Sequence, residues 1–233
     1  MTRGLAIVGC GKMGRMIERL APEYGFEVKA KFSGQENLGA KALTAQSLAG
    51  VDVAMEFTRP DAAATNLQKL ATLGVATVSG TTGWFTELER LRKKINASGS
   101  VLVWGANFSV GSNLFREVVA EAARRFAREE SYGAWGWEIH HAAKKDAPSG
   151  TLLALAEEMK RASYAREISL SANRAGTVPG THEIGFDSAE DTITIRHSAR
   201  GREGFARGAL RAARWVIGKK GVHEFREILS ELA

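Results

Sequence analysis

The densest chemistry in the sequence lies between Glu138 and Thr151, which reads Glu-Ile-His-His-Ala-Ala-Lys-Lys-Asp-Ala-Pro-Ser-Gly-Thr. Two of the five histidines, His140 and His141, are adjacent here, and Lys144 follows. Imidazole and ammonium groups this close together offer positive charge and a transferable proton. The stretch runs into Ser149-Gly150-Thr151 at the predicted start of a helix. Free backbone N–H groups there, with the two hydroxyls, suit a carboxylate. Two blander readings compete. A zinc site would need a set of Cys, His and carboxylate ligands; the sequence presents no plausible one, and no metal is expected. A capped helix behind a loop of surface histidines needs no ligand at all.

A second cluster, Gly9-Cys10-Gly11-Lys12-Met13-Gly14, follows an apolar run and opens a helical pattern. Glycines at this spacing allow a tight turn, let backbone N–H groups approach a pyrophosphate, and aim a helix N-terminus at it. The strand before and the helix after supply the context that a lone Gly-x-Gly-x-x-Gly lacks. A dinucleotide cofactor is therefore expected. Folds of this kind that use NAD usually carry an acid at the end of the second strand. Here that region is Lys29-Ala30-Lys31-Phe32-Ser33-Gly34, with no acid. Lys31 and Ser33 lean the expectation slightly toward NADPH over NADH, although Lys31 serves equally well as a solvated surface lysine. Phe57 and Thr58 should line the same crevice, at the strand ends where open α/β sheets bind ligands.

Elements that could hold these clusters alternate through the first half. Strands are predicted at 5–8, 27–32, 51–57, 75–79 and 101–104, and helices at 12–24, from Pro60 to about Leu73, and at 87–97, the last begun by a Thr86/Glu89 capping box. Such alternation means a parallel sheet covered on both faces. In the second half a long helix, about 113–128, precedes a strand near 134–139 and a helix from about 151 to 161. Strand candidates at 168–172, 181–186 and 192–197 then suggest a smaller mixed or antiparallel sheet. Segments 208–218 and 222–232 read as terminal helices. The fold class expected is α/β: an N-terminal Rossmann-type parallel sheet with a second, smaller α+β domain for substrate binding and oligomerisation. Residues 1–106, completed by 207–233, would form the dinucleotide-binding domain, and 107–206 the second.

Composition narrows the function classes. The 233 residues, 44% hydrophobic and 25% charged, are those of a globular protein with a real core. No apolar run approaches the roughly 20 residues of a membrane span, and the first residues lack the pattern of a signal peptide. A single cysteine, Cys10, allows no intrachain disulfide and points to a reducing, cytoplasmic setting. The formal charge of +6 is spread over helical stretches without a nucleic-acid motif, so neither nucleic acid nor membrane is expected as a partner.

The segment Glu138–Thr151 resembles the signature of the 4-hydroxy-tetrahydrodipicolinate reductase family, E-x-H-H-x-x-K-x-D-A-P-S-G-T. Other stretches resemble the family in the right order: 9–14; 52–60; Gly80-Thr81-Thr82-Gly83; Asn107-Phe108-Ser109-Val110-Gly111 with Asn113; and Arg174-Ala175-Gly176 continuing to Gly180-Thr181-His182. The resemblance spans nearly the whole chain. It implies hydride transfer from NADH or NADPH to a small cyclic dicarboxylate, ring protonation, a Rossmann domain, and a homotetramer joined through the sheets of the second domain. It also implies roles. Lys144 would donate the proton, and His140 would donate or accept one or position the substrate. His141, Thr82, Ser149, Gly150 and Thr151 would contact substrate. Gly9, Cys10, Gly11, Lys12 and Met13, with Gly80, Thr81, Thr82, Gly105, Ala106, Asn107 and Phe108, would hold the cofactor.

Three departures from the family pattern stand out. Ala142 and Ala143 replace residues that are often basic or polar, the acid after the second strand is missing, and the chain between 161 and 174 is short. These keep two other readings open: a same-fold reductase of another cyclic imine or oxo acid, and a non-catalytic nicotinamide-binding redox sensor. The second would have no need of His140, Lys144 or the Ser-Gly-Thr site.

Overall fold

Apolar runs such as Leu5–Val8 and Val53–Met55 are wholly buried, as strands covered on both faces must be. A computed structural model describes residues 2–232. The chain divides into two compact units: one runs to Val110 and resumes at Glu203, and the other is Gly111–Arg202.

In the first unit β1 (Arg3–Val8), β2 (Phe26–Phe32), β3 (Val53–Glu56), β4 (Ala76–Ser79) and β5 (Val101–Trp104) alternate with α1 (Lys12–Leu20), α2 (Pro60–Thr72) and α3 (Leu88–Ser98). Every pairing in its sheet is parallel. From β1 the chain turns to β2 on one side and to β3 on the other. That switch point is where open α/β sheets form their ligand crevice. The expected Rossmann-like parallel sheet is thus present.

Three local expectations fail for identifiable reasons. The first helix stops at Leu20 and tightens into a 3-10 turn over Ala21–Tyr24, because Pro22 enters at the turn's start and Gly25 closes it with φ +77°. The Thr86/Glu89 capping box does not form. Phe85–Glu87 is a 3-10 turn, α3 begins without a side-chain cap, and Glu89 pairs with Arg92. The chain end is not two helices. Helix α6 (Glu203–Trp215) starts earlier than expected, and 222–232 contains a strand, Gly221–Glu224, and a 3-10 turn, Leu229–Glu231. The strand adds a sixth member beside β5. The helix-like spacing of Phe225, Ile228 and Leu232 comes from turns dropping those side chains into the core.

Helix α6 buries a face of Ala206, Gly208, Ala209, Ala212 and Ala213 in this unit. A Cβ on Gly208 would stand 1.8 Å from the Phe108 carbonyl oxygen, so only glycine permits that approach.

The second unit holds α4 (Val110–Phe126), whose first residue lies at the boundary, β6 (Gly133–His140), α5 (Gly150–Arg161), β7 (Ile168–Arg174), β8 (Thr181–Asp187) and β9 (Thr192–Ser198). Its four-stranded sheet runs β7-β6-β8-β9 and is mixed: β6 pairs parallel with β7 and antiparallel with β8. Alternation along β6 sends Ala134, Gly136, Glu138 and His140 to the buried face and Trp135, Trp137 and Ile139 to the other. Phe115, Val119, Leu152, Leu155, Ile184 and Phe186 are among the residues of its core.

Candidate active site

The glycine turn sits at the carboxyl end of β1. Gly9 has φ +106°, and a Cβ there would lie 2.1 Å from the Phe57 carbonyl oxygen. A Cβ on Gly14 would meet the Gly9 carbonyl oxygen at 2.1 Å, so that glycine sets how closely α1 packs on its own turn. Gly11 differs: nothing lies within 4 Å of its Cβ position, and it faces open space. As N-cap of α1 it makes no side-chain hydrogen bond, and the first turn of the helix contains no acid. The positive end of the helix is left for an external anion.

Two cavities meet at this turn. One, of about 720 Å³, is lined by Gly9, Cys10 and Gly11, by Ser33 and Gly34 after β2, and by Phe57, Thr58 and Arg59 after β3. The other, of about 410 Å³, continues over Lys12 and Met13 to Gly80, Thr81 and Thr82. Gly11, Phe57 and Thr58 belong to both. A long ligand with an anionic middle fits this crevice. Gly105, Ala106, Asn107 and Phe108 line neither cavity. The Phe108 ring is buried against Phe225, with centroids 4.6 Å apart, so its side chain is core rather than ligand contact.

The residues that carried the lean toward NADPH are already engaged. Lys31 forms an ion pair with Glu18 at 2.9 Å, and the Ser33 hydroxyl donates to Glu36 at 2.6 Å. Glu36 is an acid two positions beyond the stretch read as acid-free. Its carboxylate turns back onto Ser33, and it lines neither cavity.

Beneath the crevice lies a residue to which the sequence assigned no role. Glu56, the last residue of β3, is fully buried, bonds the Thr58 hydroxyl, and accepts from Ser79 Oγ at 2.7 Å. Burial pushes its carboxyl group above the usual carboxylate range, outweighing hydrogen bonds from Thr58, Ser79, Thr81 and Asn66.

In the second unit, the loop after β6 and the start of α5 carry the second cluster. Ser149 caps α5, accepting from the Leu152 N–H at 3.2 Å. Both of its own donors go to Glu138: the N–H at 2.8 Å and the hydroxyl in a short bond. Ser149 is buried, so it departs from the expected substrate contact and instead holds the helix start in place. Gly150 is exposed and Thr151 half-buried at that same N-terminus.

Glu138 also accepts from Arg174 at 2.8 Å, and Arg174 donates in addition to the Asp146 carbonyl. Burial alone would raise the Glu138 carboxyl, but the bonds from Ser149 and Arg174 win and hold it below the ordinary range. It is an ionised carboxylate. His182 Nε2 lies 3.2 Å from it, and the His140 and His182 rings meet edge to face at 5.0 Å. Burial, reinforced by His140, lowers His182 to about 4; burial lowers His140 as well. Both imidazoles are neutral at neutral pH. The Nδ1 of His140 is buried without a hydrogen-bond partner.

Glu138, His140 and His182 place one ligand atom each within 4.8 Å of one another. The expectation that no plausible metal-ligand set exists is therefore corrected: β6 and β8 assemble one. The carboxylate in it is already matched by the Arg174 cation and by Ser149, which suits a structural acid rather than a metal ligand.

Lys144 Nζ donates to both oxygens of Asp146, at 2.7 and 2.8 Å. Hydrogen bonding from Lys144 lowers the Asp146 carboxyl, with a further contribution from the Gly150 N–H. Asp146 thus engages an ammonium as a substrate carboxylate would. His141 is half-buried, and its carbonyl accepts from the Lys144 N–H at 3.0 Å.

Glu138, Asp146, Arg174, His182 and Glu56 are the residues of this chemistry that earned no individual role from the sequence. The available signal was an acid inside an apolar strand, as in Ala54-Met55-Glu56-Phe57 and Trp137-Glu138-Ile139. Such an acid is buried only with partners.

Comparison with known proteins gives consistent results. The family model described as dihydrodipicolinate reductase, N-terminus, matches residues 4–108, and the one described as dihydrodipicolinate reductase, C-terminus, matches 111–229. A 4-hydroxy-tetrahydrodipicolinate reductase of Christiangramia forsetii is 32% identical, with 98% of each chain covered. One from Methanoregula boonei is 36% identical over 96% of this chain and 97% of its own. Among solved structures, dipicolinate-bound dihydrodipicolinate reductase from Paenisporosarcina sp. TG-14 shares the fold with a TM-score of 0.83 at 21% identity, over 98% of this chain and all of that one.

Proposed function

Since the chain belongs to the dihydrodipicolinate reductase family, we propose that it reduces 4-hydroxy-tetrahydrodipicolinate, by way of dihydrodipicolinate, to tetrahydrodipicolinate in diaminopimelate and lysine biosynthesis. The single observation that carries this reading is the Lys144 ammonium held on a carboxylate, Asp146, in the loop that leads into the N-terminus of α5. A ligand carboxylate has the same needs.

The crevice of the first unit would hold the cofactor. Gly11 leaves room for a pyrophosphate, the free N-terminus of α1 complements its charge, and Phe57, Thr58 and Thr81 form the wall. When bound, a reduced nicotinamide supplies a hydride. NADPH is the cofactor proposed: no carboxylate lines the wall at the β2 end, and Arg59 on the facing wall, exposed and paired with Asp61 at 3.2 Å, is the cation that could turn to an added phosphate. In the second unit Lys144 would deliver the proton from Nζ, and Gly150, Thr151 and His141 would hold the substrate. His140 would orient the ligand as a neutral imidazole.

A homotetramer joined through the second sheet is proposed on two observations. Trp135 and Trp137 stand half-exposed on the face that the core leaves free, and the edge strands β7 and β9 each lack an outer partner. No helix among the described residues is long and apolar enough to cross a membrane. A cytoplasmic site of action is proposed on the single cysteine, which suits a reducing compartment.

The test is a cofactor-oxidation assay on freshly made synthase product, with NADH and NADPH side by side and the subunit number measured by light scattering. Turnover faster with NADPH is expected. No turnover with either, but turnover on another cyclic imine, would move the assignment to a different substrate.

A further inference from the structure

Glu56 occupies a position the reaction does not explain. It ends a central strand and is fully buried, and the groups that hydrogen-bond it are uncharged: chiefly the hydroxyls of Thr58 and Ser79, with Thr81 and Asn66 beside them. An isolated buried carboxyl group is costly to keep unless its polar neighbours form a closed network. Here they do. The Thr58 N–H donates to Thr81 Oγ1 at 2.8 Å, and Asn66 approaches Thr58 Oγ1 from α2 at 3.5 Å. Asn66 in turn accepts from Asn37 at 2.9 Å, and Asn37 holds the Ala42 N–H at 3.2 Å. One carboxyl group thus connects the turns after β2, β3 and β4. Thr58, Thr81, Asn66 and Asn37 all line the crevice, whereas Glu56 and Ser79 do not.

We propose that Glu56 is a positioning residue for the nicotinamide cofactor: its buried carboxyl group fixes the Thr58 and Thr81 turns that form the crevice wall. The inference rests on the reading that this crevice takes the cofactor. Two hydroxyls on opposite oxygens require the carboxyl group either to accept twice or to donate once and accept once. Burial favours the neutral acid, which donates to one hydroxyl and accepts from the other. Glutamine reproduces that pattern with its amide; alanine removes both ends of it.

The experiment measures NADPH binding by calorimetry, together with KM for NADPH and kcat, for the full-length protein and its Glu56→Gln, Glu56→Ala and Ser79→Ala variants. Glu56→Gln is expected to bind within about twofold of the parent. Glu56→Ala should weaken binding about tenfold or more, the scale of one or two lost buried hydrogen bonds, while kcat at saturating NADPH changes far less. Should Glu56→Ala not fold, Ser79→Ala, which deletes a partner remote from the crevice wall but leaves the Thr58 bond, is expected to fold with a modestly lowered thermal midpoint and to raise the Kd about threefold or more. Variants that bind NADPH as the parent does would overturn the proposal, as would a Glu56→Gln as impaired as Glu56→Ala. A parent protein that binds no nicotinamide would instead remove the reading of the crevice itself.

Discussion

Arg174 stands 2.8 Å from Glu138 Oε1 and also donates to the Asp146 carbonyl, so one guanidinium joins the buried acid of β6 to the loop that carries Lys144. Arg174 is largely buried and Glu138 completely so. Removing the guanidinium leaves a buried carboxylate with only Ser149 and a neutral histidine to stabilise it. Breaking such a pair typically costs a few kcal/mol, about 3–5 when fully buried. Arg174→Ala should lower the thermal midpoint by about 5–10 °C. It should also reduce kcat, because the loop is no longer tied down. Arg174→Lys restores the charge but not the fork and should recover stability only in part. An Arg174→Ala protein with parental midpoint and kcat would show that the tie is idle.

Lys144→Ala deletes the proposed proton donor without disturbing Glu138, Ser149 or the helix cap. A positioned general acid contributes about 10²–10⁴-fold, so kcat should fall by about 10²-fold or more. NADPH affinity, governed by the first unit, should barely change. Lys144→Arg keeps a cation for Asp146 but holds its proton too firmly to donate it, and should not restore turnover. Single-turnover kinetics with saturating substrate would check this. A near-normal rate in Lys144→Ala would move the proton elsewhere.

Glycines of the β1 turn separate cofactor effects from folding effects. Nothing lies within 4 Å of a Cβ built on Gly11, so Gly11→Val should fold with an unchanged midpoint while filling the space a pyrophosphate needs. Gly14→Ala would press a methyl to 2.1 Å from the Gly9 carbonyl oxygen and must displace α1. Overpacking of this kind costs about 1–3 kcal/mol. Thermal unfolding of both variants, paired with NADPH titration, should show lost binding at parental stability for Gly11→Val and lowered stability for Gly14→Ala.

How far the sequence could be read depended on whether a signal was local. The glycine turn and the Glu138–Thr151 string were legible because each is one contiguous segment whose chemistry follows from spacing, and the parallel strands because their apolar runs are continuous. The partner of Ser149 is hidden for the same reason. The serine's place at a helix start is visible in the sequence, but the carboxylate that takes its two donors is eleven positions away on β6. Lys31 and Ser33 were likewise credited with free charge and hydroxyl, whereas Glu18 and Glu36 occupy them. The terminal strand at 221–224 escaped because its partner, β5, lies more than a hundred residues earlier and no periodicity encodes that pairing. The Glu138–His140–His182 grouping needed the register of β6 against β8, with Glu138 opposite His182.

That register also makes the second unit sensitive to acid. His182 is held neutral, with its pKa lowered from 6.5 to about 4 by burial and by His140; burial displaces His140 in the same direction. Between those two values the unfolded chain binds a proton at position 182 that the folded chain refuses, so stability rises with pH across this window. The contribution is complete above about 6.5 and is lost as pH falls toward about 4. Glu138, whose carboxyl is depressed, adds a loss of the same sign at lower pH, when it is finally protonated. Between pH 7 and pH 4 the His182 effect alone is on the order of 2–3 kcal/mol. The thermal midpoint should therefore drop steadily over that range. His182→Gln, which keeps a polar group near Glu138 but cannot titrate, should flatten the upper part of the curve while leaving the steep fall below pH 4. Circular-dichroism melts of both proteins at half-unit pH intervals would decide it, and identical slopes between pH 6.5 and 4.5 would assign the acid sensitivity to some other group.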